Sequence, residues 1–140
     1  MIIDSSAILA ILFGEPDAPA YARAIVAAEV RRISAANWLE TAIRIDSGAG
    51  AIASNAFDDL IREASIEVMP VTHEQARIAR SAYRAYGKGS GHPAQLNFGD
   101  CFAYGLAKVT GEPLLFKGTD FSETDIQRGM QDFPSSTGNL

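Results

Sequence analysis

Cysteine, histidine and positive charge are all scarce in this chain. Of 140 residues, Cys101 is the one cysteine, and His73 and His92 are the two histidines. A single thiol closes no internal disulfide, so the sequence points to a reducing compartment. Twelve Lys and Arg stand against 17 Asp and Glu, a net charge of −5. That balance argues against a protein that holds nucleic acid by a bulk positive field. Any such contact has to be local, through a basic stripe or through bound cations. No apolar run approaches the ~20 residues of a membrane-spanning helix. The first residues lack the positive stretch of a signal peptide, and Asp4 interrupts their apolar run. Together these absences lead to the expectation of a cytoplasmic protein with no membrane contact.

What is present reads as one globular unit. The apolar fraction of 47% and charged fraction of 21% are ordinary values, and a chain of this length can bury a real core. No repeat or internal boundary divides it. The expected domain covers 1–131, and the Ser/Gly/Pro-rich stretch 132–140 is expected to fray. Short apolar runs at Met1–Asp4, Val30–Ser34, Ile66–Val71 and Pro113–Phe116 predict strands. Between them, helical spacing predicts helices after Ser5 or Ser6 as cap, from Pro16 to about Glu29, from Ala35 to near Gly48, and over Ala51–Ala64. Further helices are expected from a Thr72/Gln75 capping box to about Tyr86, and over Phe98–Thr110. Asp125 to Met130 is a candidate fifth strand. Strands alternating with helices predict an α/β fold: a small parallel sheet of four to five short strands flanked by helices.

In such folds ligands gather at the carboxyl ends of the strands. Asp4 ends the first strand and Asp120 lies just past the fourth. Glu40 stands in an apolar helix, and Asp100 in the first turn of the helix after the Gly/Ser/Pro-rich segment 87–97. Each has a plain alternative: Asp4 as a helix cap, Glu40 as a solvated residue, Asp100 as the third helical residue behind an Asn97 cap, Asp120 as a turn residue. As a set they suggest a different chemistry. Four converging carboxylates repel one another unless divalent cations neutralise them, and Mg²⁺ or Mn²⁺ takes oxygen ligands while keeping water for hydrolysis.

Four segments then carry a resemblance: Ile2-Ile3-Asp4-Ser5-Ser6-Ala7, Asn37-Trp38-Leu39-Glu40, Leu96-Asn97-Phe98-Gly99-Asp100-Cys101-Phe102-Ala103-Tyr104, and Leu114-Leu115-Phe116-Lys117-Gly118-Thr119-Asp120-Phe121. In order and spacing they resemble the acid motifs of PIN-domain nucleases and, more narrowly, VapC toxins of toxin–antitoxin pairs. The resemblance implies a toxin that is an Mg²⁺- or Mn²⁺-dependent endoribonuclease, with Asp4, Glu40, Asp100 and Asp120 as catalytic and metal-holding residues. It implies Ser6 as a hydroxyl supporting the first acid, and Thr119 in that part for the fourth. It also implies RNA as substrate, a cognate antitoxin as partner, and a homodimer. Asp125 also fits a family pattern and competes with or assists Asp120.

Other features have two readings each. Arg77, Arg80, Arg84 and Lys88 are spaced 3, 4 and 4 apart on one helical face: a solvated face, or a stripe contacting RNA phosphates. His92 in its loop is a solvated residue or a substrate contact, and His73 a first-turn helix residue. Cys101 reads as a small buried thiol, not a nucleophile, because no motif places a histidine beside it. The apolar opening helix, with Tyr21, Trp38 and Leu39 after it, predicts an exposed face for an antitoxin or a second copy. A phosphatase using Asp4 as nucleophile would want a second Asp where Ser6 stands. A receiver-type signalling domain would want paired early acids. A catalytically silent PIN-like domain that binds RNA or protein remains the alternative function.

Overall fold

The structure, a computed structural model, describes residues 1–130; the expected frayed tail at 132–140 lies outside the described residues. Four short parallel strands form the sheet: β1 (Ile2–Ile3), β2 (Arg32–Ser34), β3 (Glu67–Met69) and β4 (Leu114–Leu115), in the order β3-β2-β1-β4. Six helices connect and flank them: α1 (Ser5–Leu12), α2 (Ala18–Ala27), α3 (Ala35–Asp46), α4 (Gly50–Glu63), α5 (His73–Tyr86) and α6 (Phe98–Thr110). The chain runs outward from β1 through β2 to β3, then returns to place β4 on the other side of β1. The order therefore reverses between β1 and β4, and the crevice at a reversal is where an open parallel sheet leaves room for a ligand.

Alternation along each strand divides the core. Ile3, Ile33 and Leu115 join Ala7, Ile8, Tyr21, Ile25 and Phe57 on one face of the sheet. Ile2 and Leu114 join Ala103, Leu106, Phe116 and Phe121 on the other. α6 is the central helix of that second layer, and α5 packs closely along it. Gly105 permits this: a Cβ there would lie 2.7 Å from the Gln75 carbonyl oxygen, so any side chain would push the two helices apart.

Several local expectations change. Asp4 itself caps α1, accepting from the Ser6 N–H at 3.0 Å, whereas the sequence offered Ser5 or Ser6 for that part. The carboxylate is the better acceptor, and the strand delivers it to the helix start. α2 begins at Ala18, so Pro16 stays in the preceding turn and Pro19 occupies the first helical turn. Thr72 caps α5 by accepting from the Gln75 N–H, but the Gln75 side chain is buried and makes no return bond. The fifth strand shrinks to one parallel bridge between Leu114 and Arg128. Gly129 is required there, since a Cβ would meet the Met1 sulfur at 2.9 Å and the Leu114 backbone at 3.1 Å.

Candidate active site

The strand order brings the first and fourth acids to the crevice. Asp4 follows β1 directly and is 4% exposed; Asp120 lies in the turn beyond β4. α6 starts at the same edge and carries Asp100 in its first turn, 8% exposed. Asn97 accepts from the Asp100 N–H at 2.9 Å, and Asp100 Oδ2 accepts from the Asn97 N–H at 2.9 Å, a complete capping box. The plain reading of Asp100 is thus met without excluding the other, because its second oxygen makes no hydrogen bond within the box.

Glu40 is exposed on α3, yet it is anchored. Ser5 Oγ donates to Glu40 Oε1 at 2.6 Å and lies 3.1 Å from the Asn37 carbonyl oxygen. Asn37, fully buried, donates to the Gly99 carbonyl at 3.0 Å and to Glu40 Oε1 at 3.4 Å, tying α3 to the first turn of α6. Its own Oδ1 is buried without a hydrogen-bond partner among the described residues. A Cβ at Gly99 would lie 2.0 Å from Glu40 Oε2, so only glycine leaves room for this carboxylate.

The electrostatics follow from burial and like charge. Burial pushes Asp4 up to about 6, against the opposing hydrogen bonds from the Ser6 hydroxyl and N–H; the charge on Glu40 pushes it further. Asp100 is pushed up to about 8 by burial first, then by Asp4 and Asp120, against the bond from the Asn97 N–H. The four acids thus form a chain of repulsions: Glu40 with Asp4, Asp4 with Asp100, Asp100 with Asp120. Among the described residues, no three of His, Cys, Asp and Glu close into a ready cation cage. Local donors explain the spread: Ser6 holds Asp4, Asn97 holds Asp100, and Ser5 holds Glu40. The donor set is all oxygen, buried at Asp4 and Asp100 and short of positive charge, which suits a hard divalent cation.

Ser6 joins three segments. Its hydroxyl donates to Asp4 Oδ2 at 2.6 Å and accepts from the Lys117 N–H at 2.9 Å, linking the ends of β1 and β4. The Lys117 ammonium does not relieve the acids. It pairs with Glu15, and with Asp17 at 2.9 Å. Thr119 is exposed and its hydroxyl makes no hydrogen bond among the described residues.

Residues predicted around the acids are dispersed. Asp125 accepts from the Tyr104 hydroxyl at 2.6 Å and pairs with Lys108 at 2.8 Å, farther along α6 than the turn that carries Asp100. Lys108 and then the Tyr104 hydroxyl hold it below the usual carboxylate range. Arg80 and Arg84 line one groove, Arg77 another, and Lys88 lies beyond the end of α5. The common stripe therefore splits, because α5 ends at Tyr86, before Lys88, and the α5–α6 packing gives its flanks different neighbours. His92 stacks edge-on against Tyr86, 4.9 Å between centroids, and its Nδ1 accepts from the Ala94 N–H. Burial, then Asp100, pushes the Cys101 thiol up to about 11, so it is neutral at pH 7. Ile8 and Tyr21 are core residues, whereas Phe13, Leu39 and Ile43 are exposed. Sequence reading offered Ser5 only as a helix cap and assigned no site role to Asn37 or Gly99. Asn37 precedes Glu40 by three positions on one helix face, a usable signal; nothing local marks Ser5 or Gly99.

Comparisons with known proteins agree with this fold. The PIN-domain family profile matches residues 1–127. Ribonuclease VapC28 of Mycobacterium tuberculosis is 56% identical over 130 residues, covering 93% of this chain and 98% of that protein. Among solved structures, VapC20 of M. tuberculosis, described as a sarcin–ricin loop cleaving toxin, superposes with a TM-score of 0.68 at 19% identity, covering 89% of this chain and 95% of its own. A toxin–antitoxin complex from Klebsiella pneumoniae gives a TM-score of 0.65 at 14% identity, covering 89% and 92%. No helix among the described residues is long and apolar enough to cross a membrane. The chain belongs to the PIN-domain family, among its VapC ribonucleases.

Proposed function

We propose that this chain is the toxin of a toxin–antitoxin pair, an endoribonuclease that hydrolyses RNA with Mg²⁺ or Mn²⁺ at Asp4, Glu40, Asp100 and Asp120. The observation that carries the reading is the acidity of one sheet edge: Asp4 and Asp100 are buried beside other acids, which pushes both pKa values up, and among the described residues no Lys or Arg pairs with either. A bound divalent cation would neutralise that charge, acidify water and stabilise the charge that develops on a phosphodiester. Asp4 and Asp100, the two buried acids, are the main holders of the cation, with Asp120 beside Asp100 completing the set. Glu40, exposed and fixed by Ser5 and Asn37, orients the attacking water and accepts its proton. Ser6 fixes the Asp4 carboxylate; Thr119, next to Asp120, supports the fourth acid. Arg77, Arg80, Arg84, Lys88 and His92 contact the RNA strand outside the acids, the guanidinium and ammonium groups through phosphates.

In this reading the protein works in the cytoplasm, and its folded domain is 1–131. The exposed Phe13, Leu39 and Ile43 form the face that a cognate antitoxin or a second copy covers in a homodimer. The mechanism is tested by incubating wild type and Asp100→Asn with structured RNA, in Mg²⁺ and in EDTA, and mapping the ends. Water as nucleophile leaves a 5′-phosphate and a 3′-hydroxyl. Cleavage in EDTA, 2′,3′-cyclic ends, or equal cleavage by the variant would each overturn it.

A further inference from the structure

Phe98 is the first residue of α6 and is 78% exposed, an unusual position for an aromatic ring. It is not loose. Its ring packs edge-to-face on Phe102, centroids 4.8 Å apart at 86°, which fixes its orientation. Phe98 and Phe102 line an open groove of about 630 Å³ between α5 and α6, with Ala79, Tyr83, Arg80 and Arg84. Neither Arg80 nor Arg84 has an ion-pair partner among the described residues. The groove thus joins aromatic surface to two uncommitted guanidinium groups, on a chain whose net charge is −5. Along the chain Phe98 is two residues from Asp100, and the residue between them, Gly99, faces the Glu40 carboxylate.

We infer that Phe98, backed by Phe102 and flanked by Arg80 and Arg84, is a stacking platform for one unpaired RNA base beside the cleavage site. The inference rests on the ribonuclease reading and adds a specificity determinant to it. A nucleotide offers an aromatic face and an anionic phosphate together, the two features this groove complements. Bases are free to stack on a protein ring only where the strand is unpaired, so the platform selects single-stranded or looped RNA over duplex. Guanidinium groups beside a ring can clamp phosphate or extend the stack.

The test reads binding separately from cleavage. A short single-stranded RNA carrying one 2-aminopurine, moved along successive positions, is titrated with the full chain in EDTA, where the proposed mechanism leaves RNA intact. Wild type should quench the fluorescence at one position, and duplex RNA of the same sequence should not respond. Phe98→Ala should abolish the quenching and weaken binding about tenfold. Phe98→Trp should keep both. Arg80→Ala and Arg84→Ala should weaken binding, each lowering the salt slope by about one, with quenching kept at saturation. Because Phe98 is exposed, its variants should fold, which a melt confirms.

Unchanged affinity and quenching in Phe98→Ala would overturn the platform. So would a wild-type dimer that falls to monomer in Phe98→Ala while RNA affinity holds, since the ring would then be an interface between copies. The two readings fail separately. Position-specific quenching by a wild type that cuts no RNA in Mg²⁺ would support the platform and remove the nuclease. Equal kcat/KM for wild type and Phe98→Ala on an unstructured RNA would remove the platform and keep the nuclease.

Discussion

The two ends of this small sheet treat their carboxylates in opposite ways. At the amino end, Glu112 precedes β4 and receives the Met1 ammonium at 3.2 Å and Arg32 Nη1 at 3.1 Å. Burial pushes it up, but these two cations outweigh burial and hold it below its ordinary value. At the carboxyl end, Asp4 and Asp100 are buried beside other acids and pushed up. The strands between are two or three residues long, so the fold spans both arrangements within roughly 10 Å of backbone. Charge that serves stability is paired where it is buried. Charge left unpaired at a ligand crevice costs stability, and its retention marks chemistry.

The contrast predicts opposite signs on substitution. Asp100→Asn should lose about 10²–10⁴-fold in RNA cleavage, yet make the cation-free protein more stable at pH 8.5. The isosteric amide keeps the capping bond but sheds the buried charge. The dipole benefit forgone at a helix start is about 0.3–1 kcal/mol, smaller than the relief of repulsion, so a net gain of about 1–2 kcal/mol is expected. The pH dependence follows the same sign. Asp4 and Asp100 bind protons more tightly folded than unfolded, so their contribution is most favourable below the ordinary carboxylate pKa. It declines as pH rises through about 6 and about 8. Melts from pH 5 to 8.5 in EDTA should show that decline, and millimolar Mg²⁺ should flatten it by mass action. A wild type whose stability does not fall over that range would erase the contrast between the two ends.

Gly99→Ala sharpens the comparison by moving an acid without removing it. The new Cβ would fall on the Glu40 carboxylate, the flexible end of an exposed side chain. Glu40 should swing away at little cost in stability. Since a displacement of about 1 Å in a reacting group can cost 10²-fold, cleavage should fall about 10–100-fold while the melting temperature barely moves. A large loss of stability instead would mean that Gly99 serves α3–α6 packing alone.

Glu112→Gln is the counterpart at the paired end. It leaves the Met1 ammonium and Arg32 facing a neutral amide, and stability should drop by about 1–2 kcal/mol with cleavage unchanged. For this acid the linkage runs the other way. Its contribution is present above the ordinary glutamate pKa and is lost as pH falls through its lowered folded value. The penalty of the variant should therefore vanish in acid, which urea titrations at pH 7 and pH 3 would measure.

Much of this arrangement was legible before the coordinates. Apolar runs located all four strands: β1 and β4 are buried throughout, and even the edge strand β3, exposed at Glu67 and Val68, lies within the apolar run 66–71. An Asp at the end of a fully buried run such as β1 needs a reason. The Asn97–Asp100 spacing predicts the Asn97 cap and Asp100 in the first turn of α6, but not the returning bond from the Asn97 N–H to Asp100 that completes a capping box. What stayed hidden depends on approach between segments distant in sequence. The Gly99–Glu40 contact joins positions 59 apart, and the Ser5–Glu40 bond positions 35 apart. The arginines follow the same rule: residue spacing gives an angle on α5, but where the helix stops and what packs against its flanks decide which groove each side chain borders.

The smallest effect separates the two acids that the sequence left in competition. Asp120 lies beside Asp100 at the crevice, whereas Asp125 is half-exposed, paired with Lys108 and bonded by the Tyr104 hydroxyl. Exposed pairs of this kind contribute little, so Asp125→Asn should cost under about 1 kcal/mol and leave cleavage at the wild-type rate. Asp120→Asn, in contrast, should lose most cleavage and should ease the repulsion on Asp100, raising stability slightly at pH 8.5. Single-turnover cleavage of one RNA by both variants, beside their melts, makes the distinction. Equal loss of rate in the two would place Asp125 within reach of the reacting strand and require the turn 118–125 to rearrange when RNA binds. Full activity in Asp120→Asn would remove the fourth acid from the site and leave Asp4, Glu40 and Asp100 to hold the cation.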